Sequence, residues 1–365
     1  MKLAYITNTI NGAGGIQRIL AVKSNYLIKH ENYEVTIIVT NATEEPIYYT
    51  FHPLIKIITI NPDRSALHYY NSYKKLINKT LVAIQPDVVS VCDNGLKSYL
   101  LPYITSKKYP MVYELHVPKH IQQKQNIGIN IRLKQYVMHK LMGHLAKGFE
   151  KFVVLTKQGL QEWNLNSIEV IPNPLWLHTD AVSSLTNKIA IAVGRHVYEK
   201  GYDRMLEAWK IIMESQPGWI LKIYGEANKE YNVLLMAKSL GISDSVQFMT
   251  AQDNIEAAYN EASIHLLTSR YEGFGLVLLE AAAYGVPSVA FDCPVGPKDI
   301  ITHGKDGYLI ENGDISAFAE AVINLIENNT LRQNMGNNAK EKAEIFAIEP
   351  IMEKWDRLFK SLVKA

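Results

Sequence analysis

The sequence predicts an α/β protein that consists of two doubly wound domains in tandem. Short, mostly apolar runs rich in β-branched residues recur through both halves of the chain, and segments of helical periodicity separate them. Such strands are typical of parallel sheets whose two faces are both covered by helices. The length of 365 residues also favours two domains, and 47% apolar residues are enough for two buried cores.

Thirteen strand-like runs give the expected order of elements. In the first half they are LAYIT, VTIIVT, IKIITI, VVSVC, MVYELH, KFVVLT and IEVIPN. In the second half they are KIAIAVGR, LKIYG, SVQFM, SIHLLTS, SVAFD and GYLIE. The polar segment LHTDAVSSLTNK is expected to link the two halves. We therefore predict domains at residues 1–180 and 181–345, and an amphipathic C-terminal helix at 346–365 that packs at the domain junction.

Charge is divided unevenly between the halves. Residues 1–180 carry 20 Lys and Arg against 12 Asp and Glu, whereas residues 181–365 carry 18 against 24. The basic excess of the first half suggests an anionic partner. An anionic membrane surface or a phosphorylated lipid fits this excess. No nucleic-acid partner is expected, because the sequence contains no recognisable nucleic-acid-binding signature.

The cysteine content and the apolar runs indicate the compartment. Two cysteines, Cys92 and Cys293, are too few for a disulfide framework and suit a reducing environment. The N-terminal run MKLAYITNTI lacks the long apolar core of a secretion signal. No apolar run approaches the roughly 18 residues of a membrane span. We therefore expect a cytoplasmic protein.

The glycine-rich turn NTINGAGGIQRIL connects the first strand to the first helix. Its glycines, Gly12, Gly14 and Gly15, let the backbone N–H groups at the helix start approach a ligand. A dinucleotide is disfavoured because the spacing is not G-x-G-x-x-G and the second strand is not followed by an acidic residue. A tight turn without a ligand remains the alternative, and Arg18 is as readily a solvated side chain as a ligand contact.

A second candidate loop, in AVGRHVYEKGYDRM, follows the first strand of the second half. Arg195 and Lys200 come after the strand end at Gly194. Ligands of doubly wound domains bind at the carboxyl ends of strands, and an Arg with a Lys suits a diphosphate. Taken alone, the two side chains are more simply explained as solvated loop residues.

The stretch SRYEGFGLVLLEAAAYGVP, residues 269–287, is the most specific signal. Its glycines leave free N–H groups at the start of a predicted helix, which is an arrangement that binds anions. Glu280 interrupts an otherwise apolar helix, and a buried carboxylate without a partner is costly. We therefore predict that Glu272 and Glu280 contact a ligand. In the alternative, Glu272 favours the helix dipole and Glu280 is solvated.

Together these segments resemble the retaining glycosyltransferases of family 4. The resemblance covers nearly the whole chain and is carried by the glycine turn with Arg18, ELH at 114–116, IPNPL at 171–175, VGR…KG at 194–201, the E-x7-E pair Glu272 and Glu280, and GKDGYLIENGD at 304–314. It implies the GT-B fold, in which two Rossmann-like domains face each other across a cleft and a C-terminal helix crosses back to the first domain.

The resemblance also implies site residues. The catalytic set would be Arg195, Lys200, Glu272 and His116. The donor-binding set would be Gly15, Gly194, Phe274, Gly275, Leu276 and Glu280. In these roles Arg195 and Lys200 hold the nucleotide diphosphate, Glu280 accepts hydrogen bonds from the ribose, and Glu272 binds hydroxyls of the transferred sugar. His116 lies beside the donor sugar, although a histidine after a strand is often structural.

The remaining donor-side roles concern backbone groups. Amides from Phe274 to Leu276 would contact phosphate or sugar, and Gly15 would approach the phosphates or the acceptor. The segment DCPVGPKDII, residues 292–301, is similar to that of family members that build bacterial surface polysaccharides from UDP-sugars.

The reaction implied is transfer of a hexose or an N-acetylhexosamine from a nucleotide diphosphate sugar, UDP-linked, to a glycan or polyprenyl-linked acceptor. The anomeric configuration is retained. No metal and no other cofactor is expected, because no metal-ligand cluster or suitably placed D-x-D is recognisable in the sequence. The alternatives are a nucleotide-sugar epimerase or an inverting transferase of the same two-domain plan, and a non-catalytic nucleotide-sugar binding protein.

The segment RLKQYVMHKLMGHLAKGFEK, residues 132–151, is amphipathic and basic. Leu133, Val137, Leu141 and Leu145 fall on one helical side, and the basic residues fall largely elsewhere. The simpler interpretation is a helix that turns its apolar side to the core. The alternative is peripheral docking on the inner face of the cytoplasmic membrane, where a lipid-linked acceptor would be found.

Overall fold

The chain folds into two compact α/β units, seen in a computed structural model. The structure describes residues 1–41, 43–63, 65, 68–118, 129–250 and 255–363, with the side chains of 129–132 left aside. The first unit comprises Met1–Trp176 together with Ile348–Ala365, and the second comprises Leu177–Ala347. The chain therefore leaves the first unit after Trp176 and returns to it at Ile348 for its last helix.

The first unit contains a seven-stranded sheet. Its strands are β1 (Lys2–Thr7), β2 (Glu34–Val39), β3 (Lys56–Thr59), β4 (Val88–Cys92), β5 (Met111–Leu115), β6 (Lys151–Val154) and β7 (Ile168–Val170). Their order in the sheet is β3-β2-β1-β4-β5-β6-β7, and all neighbours are parallel. Successive strands are added toward one edge from β1 to β3 and toward the other edge from β4 onward, so the strand order reverses between β1 and β4. Doubly wound folds bind ligands at this point.

Helices cover both faces of this sheet. They are α1 (Gly15–Glu31), α2 (Tyr69–Ile84), α3 (Leu96–Tyr99), α4 (Leu101–Ile104), α5 (Ile129–Leu145) and α6 (Lys157–Glu162). Successive strand residues point to opposite faces, so Ala4 and Ile6 of β1 contribute to the core under α2, α3, α4 and the end of α5. Leu3 and Tyr5 contribute to the opposite core, under α1.

The second unit contains a six-stranded parallel sheet. Its strands are β8 (Ile189–Val193), β9 (Ile220–Tyr224), β10 (Val246–Met249), β11 (Ile264–Leu267), β12 (Ser288–Asp292) and β13 (Gly307–Glu311). The order is β10-β9-β8-β11-β12-β13. This is the order of a dinucleotide-binding fold, with the reversal between β8 and β11. Each of the thirteen strands falls on one of the predicted strand-like runs, so the predicted α/β class is confirmed.

Seven described helices of the second unit pack around its sheet. They are α7 (Tyr202–Ser215), α8 (Val233–Ser239), α9 (Glu256–Glu261), α10 (Leu276–Ala283), α11 (Pro297–Ile300), α12 (Ile315–Glu327) and α13 (Asn329–Ala343). Trp209 of α7 and Phe318 of α12 are fully buried among the apolar strand residues. Helix α10 is itself almost completely buried, which places its one carboxylate, Glu280, inside the unit.

The last helix, α14 (Ile348–Val363), belongs to the first unit. Its apolar side buries Trp355 and Phe359 on the same face of the sheet as α1. The hydroxyl of Tyr33 donates to Oδ1 of Asp356 at 2.9 Å and holds the polar edge of the helix. Within the described residues, no helix combines the length and the apolar composition that a membrane span needs.

Candidate active site

The loop between β8 and α7 carries Arg195 and Lys200. Lys200 ends a single 3₁₀ turn, and Gly201 follows it with φ of 66°, a conformation that favours glycine. A Cβ atom at Gly201 would lie 2.2 Å from the backbone oxygen of Thr268. Glycine therefore allows this loop to pack directly on the end of β11. Arg195 is exposed on the same loop.

Lys200 and Glu272 form an ion pair at the carboxyl edge of the second sheet. Nζ of Lys200 lies 2.7 Å from Oε1 of Glu272. The hydroxyl of Ser269 donates to the same oxygen at 2.5 Å. The carboxylate is buried, and the Lys200 side chain keeps 23% of its surface exposed. The structure thus brings together two of the four predicted catalytic side chains where β8 and β11 meet.

A second ion pair holds the two loops against each other. Nη1 and Nη2 of Arg270 donate to the two carboxylate oxygens of Asp203 at 2.8 and 2.6 Å. The Arg270 guanidinium also lies 3.9 Å from the ring centroid of Tyr198, and its backbone N–H donates to the carbonyl of Glu199 at 2.7 Å. Arg270 precedes Glu272 by two residues, so these contacts fix the Glu272 loop to the turn that carries Lys200.

The environment keeps Asp203 ionised. Burial raises the pKa of the Asp203 carboxyl, but hydrogen bonds from Arg270 and from the hydroxyl of Tyr231 outweigh burial and hold this pKa below its usual value. The Tyr231 hydroxyl donates to Oδ1 of Asp203 at 2.6 Å. The sequence interpretation missed this pair, because Asp203 and Arg270 each look like ordinary surface residues beside their helix or loop.

Helix α10 begins at the glycine-rich part of the same loop. Gly275 caps it with φ of 94°, and the first N–H groups of a helix have no acceptor within the helix. Phe274 is buried with its ring edge against Phe346. A Cβ atom at Gly296 would lie 2.4 Å from the Phe274 carbonyl oxygen. The start of α10 is therefore held by close packing from two sides. The backbone amides of Phe274, Gly275 and Leu276, which were predicted to contact the sugar donor, lie at this start.

Glu280 is 1% exposed on α10. The hydroxyl of Tyr259, on α9, donates to its Oε2 at 2.9 Å. The alternative in which Glu280 is a solvated side chain is therefore wrong. Burial of this carboxylate could be inferred from its apolar neighbours in the sequence, whereas the Tyr259 partner could not.

His196 follows Arg195 in the same loop, and nothing in the sequence marks it as a site residue. It is 4% exposed and lies between the ring edges of Tyr202 and Phe248. Burial lowers the pKa of His196, so the ring is neutral. Its Nε2 has no hydrogen-bond partner among the residues that the structure describes.

In the first unit, His116 follows β5 and joins a buried polar network. Its Nε2 lies 3.3 Å from Oε2 of Glu114, which also accepts from Nζ of Lys23 at 2.6 Å. Oε1 of Glu114 accepts from the hydroxyl of Ser90 at 2.6 Å. Nζ of Lys23 lies 3.3 Å from the ring centroid of Trp355 on α14. His116 is therefore held by a network that reaches from α1 to α14.

The charge of Glu114 is well defined. Burial raises the pKa of its carboxyl, but the positive charge of Lys23 and hydrogen bonds from His116 and Lys23 lower this pKa to about 2. Glu114 is thus an anion near neutral pH. An anionic acceptor beside Nε2 favours the His116 tautomer that carries its proton on Nε2.

The ligand types in this network also raise the question of a metal. Cys92, Glu114 and His116 place one potential ligand atom each within 4.8 Å of one another, the one such group in the part of the chain that the structure describes. Lys23 already supplies the positive charge at Glu114, and burial raises the pKa of the Cys92 thiol well above its usual value. A metal would require the thiolate and would be repelled by Lys23. The residues do not fit a metal centre.

The glycine turn after β1 is anchored by neighbouring side chains. Gly15 is the first residue of α1 and is exposed. Nε of Arg18 donates to the hydroxyl of Tyr49 at 3.3 Å, and the guanidinium lies 4.5 Å from the ring centroid of Trp176. Arg18 is therefore not a simple solvated side chain. Nearby, Nζ of Lys97 donates to Oδ1 of Asn8 at 2.9 Å, at the end of β1.

Comparisons with known proteins agree with this architecture. Residues 178–342, which make up most of the second unit, match the family Glycosyl transferases group 1. The chain is 29% identical to an uncharacterized glycosyltransferase of Haemophilus influenzae over 366 residues, which cover 97% of this chain and 98% of the relative. It is 26% identical to the amylovoran biosynthesis glycosyltransferase AmsD of Erwinia amylovora, with 97% and 98% covered.

Solved structures show the same fold. A mutant of S. aureus TarM in complex with Fondaparinux, alpha-GlcNAc-glycerol and UDP superimposes with a TM-score of 0.81 at 17% identity, covering 98% of this chain and 99% of that chain. The GT-B fold predicted from the sequence is therefore confirmed. The match of residues 178–342 and the two relatives support the predicted glycosyltransferase class. Assignment to family 4 in particular stays a prediction.

Proposed function

We propose that this chain is a retaining glycosyltransferase that moves a hexose or an N-acetylhexosamine from a UDP-sugar to a glycan or polyprenyl-linked acceptor. The reaction would take place in the cytoplasm, during synthesis of a cell-surface polysaccharide. The name of the Erwinia relative refers to amylovoran biosynthesis, and the TarM complex contains UDP and alpha-GlcNAc-glycerol. The observation that carries the proposal is the Lys200–Glu272 pair at the carboxyl edge of the group 1 domain.

Lys200 and Arg195 would bind the donor diphosphate. Glu272 holds Nζ of Lys200 at 2.7 Å on the loop that also carries Arg195, so one cation is already positioned before the donor arrives. Negative charge builds on the β-phosphate as the bond to the sugar breaks, and preorganised positive charges stabilise that charge most effectively. Neither role requires a metal ion, and we propose that the enzyme uses no metal and no other cofactor.

Glu272 and Glu280 would bind hydroxyl groups of the donor. Glu280 is buried and held by Tyr259 at 2.9 Å, which suits a carboxylate that receives hydrogen bonds from a ribose diol in a dry site. Glu272 would accept hydrogen bonds from the transferred sugar. Gly194 and the amides of Phe274, Gly275 and Leu276 complete the proposed donor site, and Gly15 of the first unit is proposed to approach the phosphates or the acceptor.

His116 would orient the donor sugar from the first unit. With its proton on Nε2, held toward the anionic Glu114 at 3.3 Å, the ring offers Nδ1 as an acceptor for a sugar hydroxyl. This arrangement supports a positioning contact rather than general acid chemistry, since Nε2 is already engaged.

We propose a front-face reaction. The bond between the anomeric carbon and the β-phosphate oxygen breaks, and the acceptor oxygen forms its bond to the same face of the sugar. The acceptor proton passes to the departing phosphate, so the products are UDP and the glycosylated acceptor. Lys200 and Arg195 stabilise the leaving group, and no covalent sugar intermediate is required.

The first test is a thermal-shift screen of the full chain against UDP-, GDP- and ADP-sugars, because a donor that binds the folded state raises its melting temperature. The sugar that stabilises best is then incubated with candidate acceptors, and the product's anomeric configuration is read by NMR. We expect stabilisation by a UDP-sugar and a product with the donor's configuration. Inversion, or stabilisation by GDP- or ADP-sugars alone, would refute the corresponding part of the proposal.

A further inference from the structure

Three segments on one side of the first sheet share an unusual charge pattern. They are residues 69–84, which form α2, residues 96–109, which include α3 and α4, and residues 129–148, which include α5. Together they contain ten Lys and Arg residues and no Asp or Glu. All three pack against the same hydrophobic layer of the sheet. We call the solvent side of these segments the basic face.

Helix α5 adds exposed apolar side chains to the basic face. Leu133 is 62% exposed, Tyr136 60%, Val137 57% and Leu141 42%. Their spacing of three and four residues puts them on one strip of the helix. The interpretation in which this side faces the core is therefore wrong for Leu133, Val137 and Leu141, and Leu145 alone of the predicted side is buried.

Cations accompany the apolar strip. Lys134, Lys140 and Lys147 are exposed on and just after α5, and the side chain of Arg132 lies outside the described residues. Lys74, Lys75 and Lys79 are exposed along α2, and Lys107 and Lys108 follow α4. Tyr103 of α4 is 52% exposed, and its hydroxyl donates to the carbonyl of Leu145 at 3.3 Å. The contact joins α4 to the end of α5.

We propose that the basic face binds the surface of an anionic lipid bilayer, with α5 lying in the interface. A helix with exposed Leu, Val and Tyr interspersed with Lys inserts its apolar side chains at the boundary of the headgroups while its lysines contact anionic lipids. The three segments contain no carboxylate, so the anionic lipids would repel none of their side chains.

Other occupants fit the same residues less well. A second copy docked by the same face would bring the eight exposed lysines of one copy against the eight of the other, without an acidic partner in these segments. Nucleic acid would use the lysines, but it would leave Leu133, Val137 and Leu141 without apolar contacts. The proposal does not depend on sugar transfer, because it concerns where the chain binds and not what it catalyses.

The experiment is co-sedimentation of the full chain with phosphatidylcholine vesicles, with and without phosphatidylglycerol. Binding is expected only when the anionic lipid is present, and it should weaken as salt rises from about 0.1 M to about 1 M, which shortens the screening length from about 10 to about 3 Å. Equal binding to both vesicles, binding that salt does not change, or no binding would overturn the proposal.

Variants locate the surface. K134Q/K140Q should weaken binding roughly 25-fold, because each lysine near the membrane contributes about fivefold. Val137→Asp should weaken binding at least about tenfold, because it removes apolar area and adds a repelled charge. The matched controls, Leu234→Asp and K210Q/K238Q, change residues exposed on α7 and α8 of the second unit. The controls should bind as the parent does, and a loss of equal size in them would contradict the assignment.

Fluorescence can show whether α5 inserts its apolar side chains into the bilayer interface. Tryptophan fluorescence of Val137→Trp should shift to shorter wavelength on anionic vesicles, and that of Leu234→Trp should not. All of these positions are exposed, so unchanged melting temperatures are expected and verify folding. If size-exclusion with light scattering shows a dimer that Val137→Asp dissolves, or if the face binds DNA with the same variant pattern, a second copy or nucleic acid replaces the membrane as its occupant.

Discussion

Nζ of Lys200 lies 2.7 Å from Oε1 of Glu272, although the two residues follow different strands of the second sheet. The contact joins the turn after β8 to the loop after β11, which is where the order of strands reverses. In the proposed reaction Lys200 stabilises the leaving diphosphate. We expect Lys200→Ala to lower turnover about 10²- to 10³-fold, the loss typical of one transition-state stabiliser.

Steady-state rates of UDP release, with Lys210→Ala as the control, measure this effect. Lys210 is exposed on α7 of the same unit, and its removal should leave the rate unchanged. In urea unfolding, the free energy of unfolding of apo Lys200→Ala should be about 1–3 kcal/mol lower than that of the parent, because Glu272 loses a charged partner while it stays buried. Turnover within threefold of the parent would remove Lys200 from the catalytic set.

The Lys23–Glu114 pair makes the first unit sensitive to acid. The pKa of Glu114 is about 2 in the folded chain, below its usual value of 4.5. This lowered pKa stabilises the fold in full above pH about 4.5, and the stabilisation is lost as the pH falls through 2. Urea unfolding of the parent between pH 5 and pH 2 should show this loss, and the same curves for Glu114→Gln should lack that contribution.

At neutral pH, Glu114→Gln leaves the ammonium of Lys23 buried without a counter-charge. We expect a loss of about 3–5 kcal/mol in the free energy of unfolding. K23M/E114Q should recover part of this loss, since it removes both charges and keeps the packing against Trp355. A double variant no more stable than the single would show that the charge of Lys23 is not what the carboxylate balances.

The Arg270–Asp203 pair should affect catalysis through the position of the two loops. Arg270→Lys keeps the charge but loses the bidentate hydrogen bonds to Asp203 and the contact of the guanidinium with the ring of Tyr198. We expect kcat/KM for the donor to fall about tenfold. Arg204→Lys is the matched control, because Arg204 lies next to Asp203 and its Nη1 donates to Oδ1 of Asn312 at 2.8 Å. Equal kinetics in the two variants would leave Arg270 with a structural role alone.

His116 is tested by separating binding from turnover. His116→Ala should lower kcat at least about tenfold while the thermal shift produced by the UDP-sugar stays within error, since donor affinity is proposed to reside mainly in the second unit. His30→Ala, at an exposed position on α1 of the same unit, is the control. Full turnover in His116→Ala would make His116 a structural member of the Glu114 network.

The architecture could be predicted from the sequence because strands that are buried on both faces appear as short, nearly continuous apolar runs. Each of the thirteen runs predicted as strands became a strand, and the apolar neighbours of Glu280 already implied its burial. These are local properties of consecutive residues, so neither a partner nor an orientation has to be known to infer them.

Contacts over long sequence distances could not be inferred in this way. Asp203 and Arg270 are 67 residues apart, and Lys23 and Glu114 are 91 apart, so nothing in either neighbourhood indicates the pairing. The orientation of α5 is a different case. Periodicity placed Leu133, Val137 and Leu141 on one side of the helix, but it does not say whether that side meets the sheet or the solvent.

The remaining prediction concerns metals. The cations of Lys200 and Arg195 are proposed to do what a divalent ion does in other transferases, and the buried group of Cys92, Glu114 and His116 already contains the ammonium of Lys23. Turnover should therefore survive dialysis against EDTA with less than a twofold change, and elemental analysis of the active protein should find less than a tenth of an equivalent of divalent metal, about the level of contamination. Added Mg²⁺ or Mn²⁺ should not accelerate the parent. If EDTA abolished transfer and a divalent ion restored it, Lys200 and Arg195 would be insufficient for the leaving group, and the metal ligands would have to be sought beside the diphosphate.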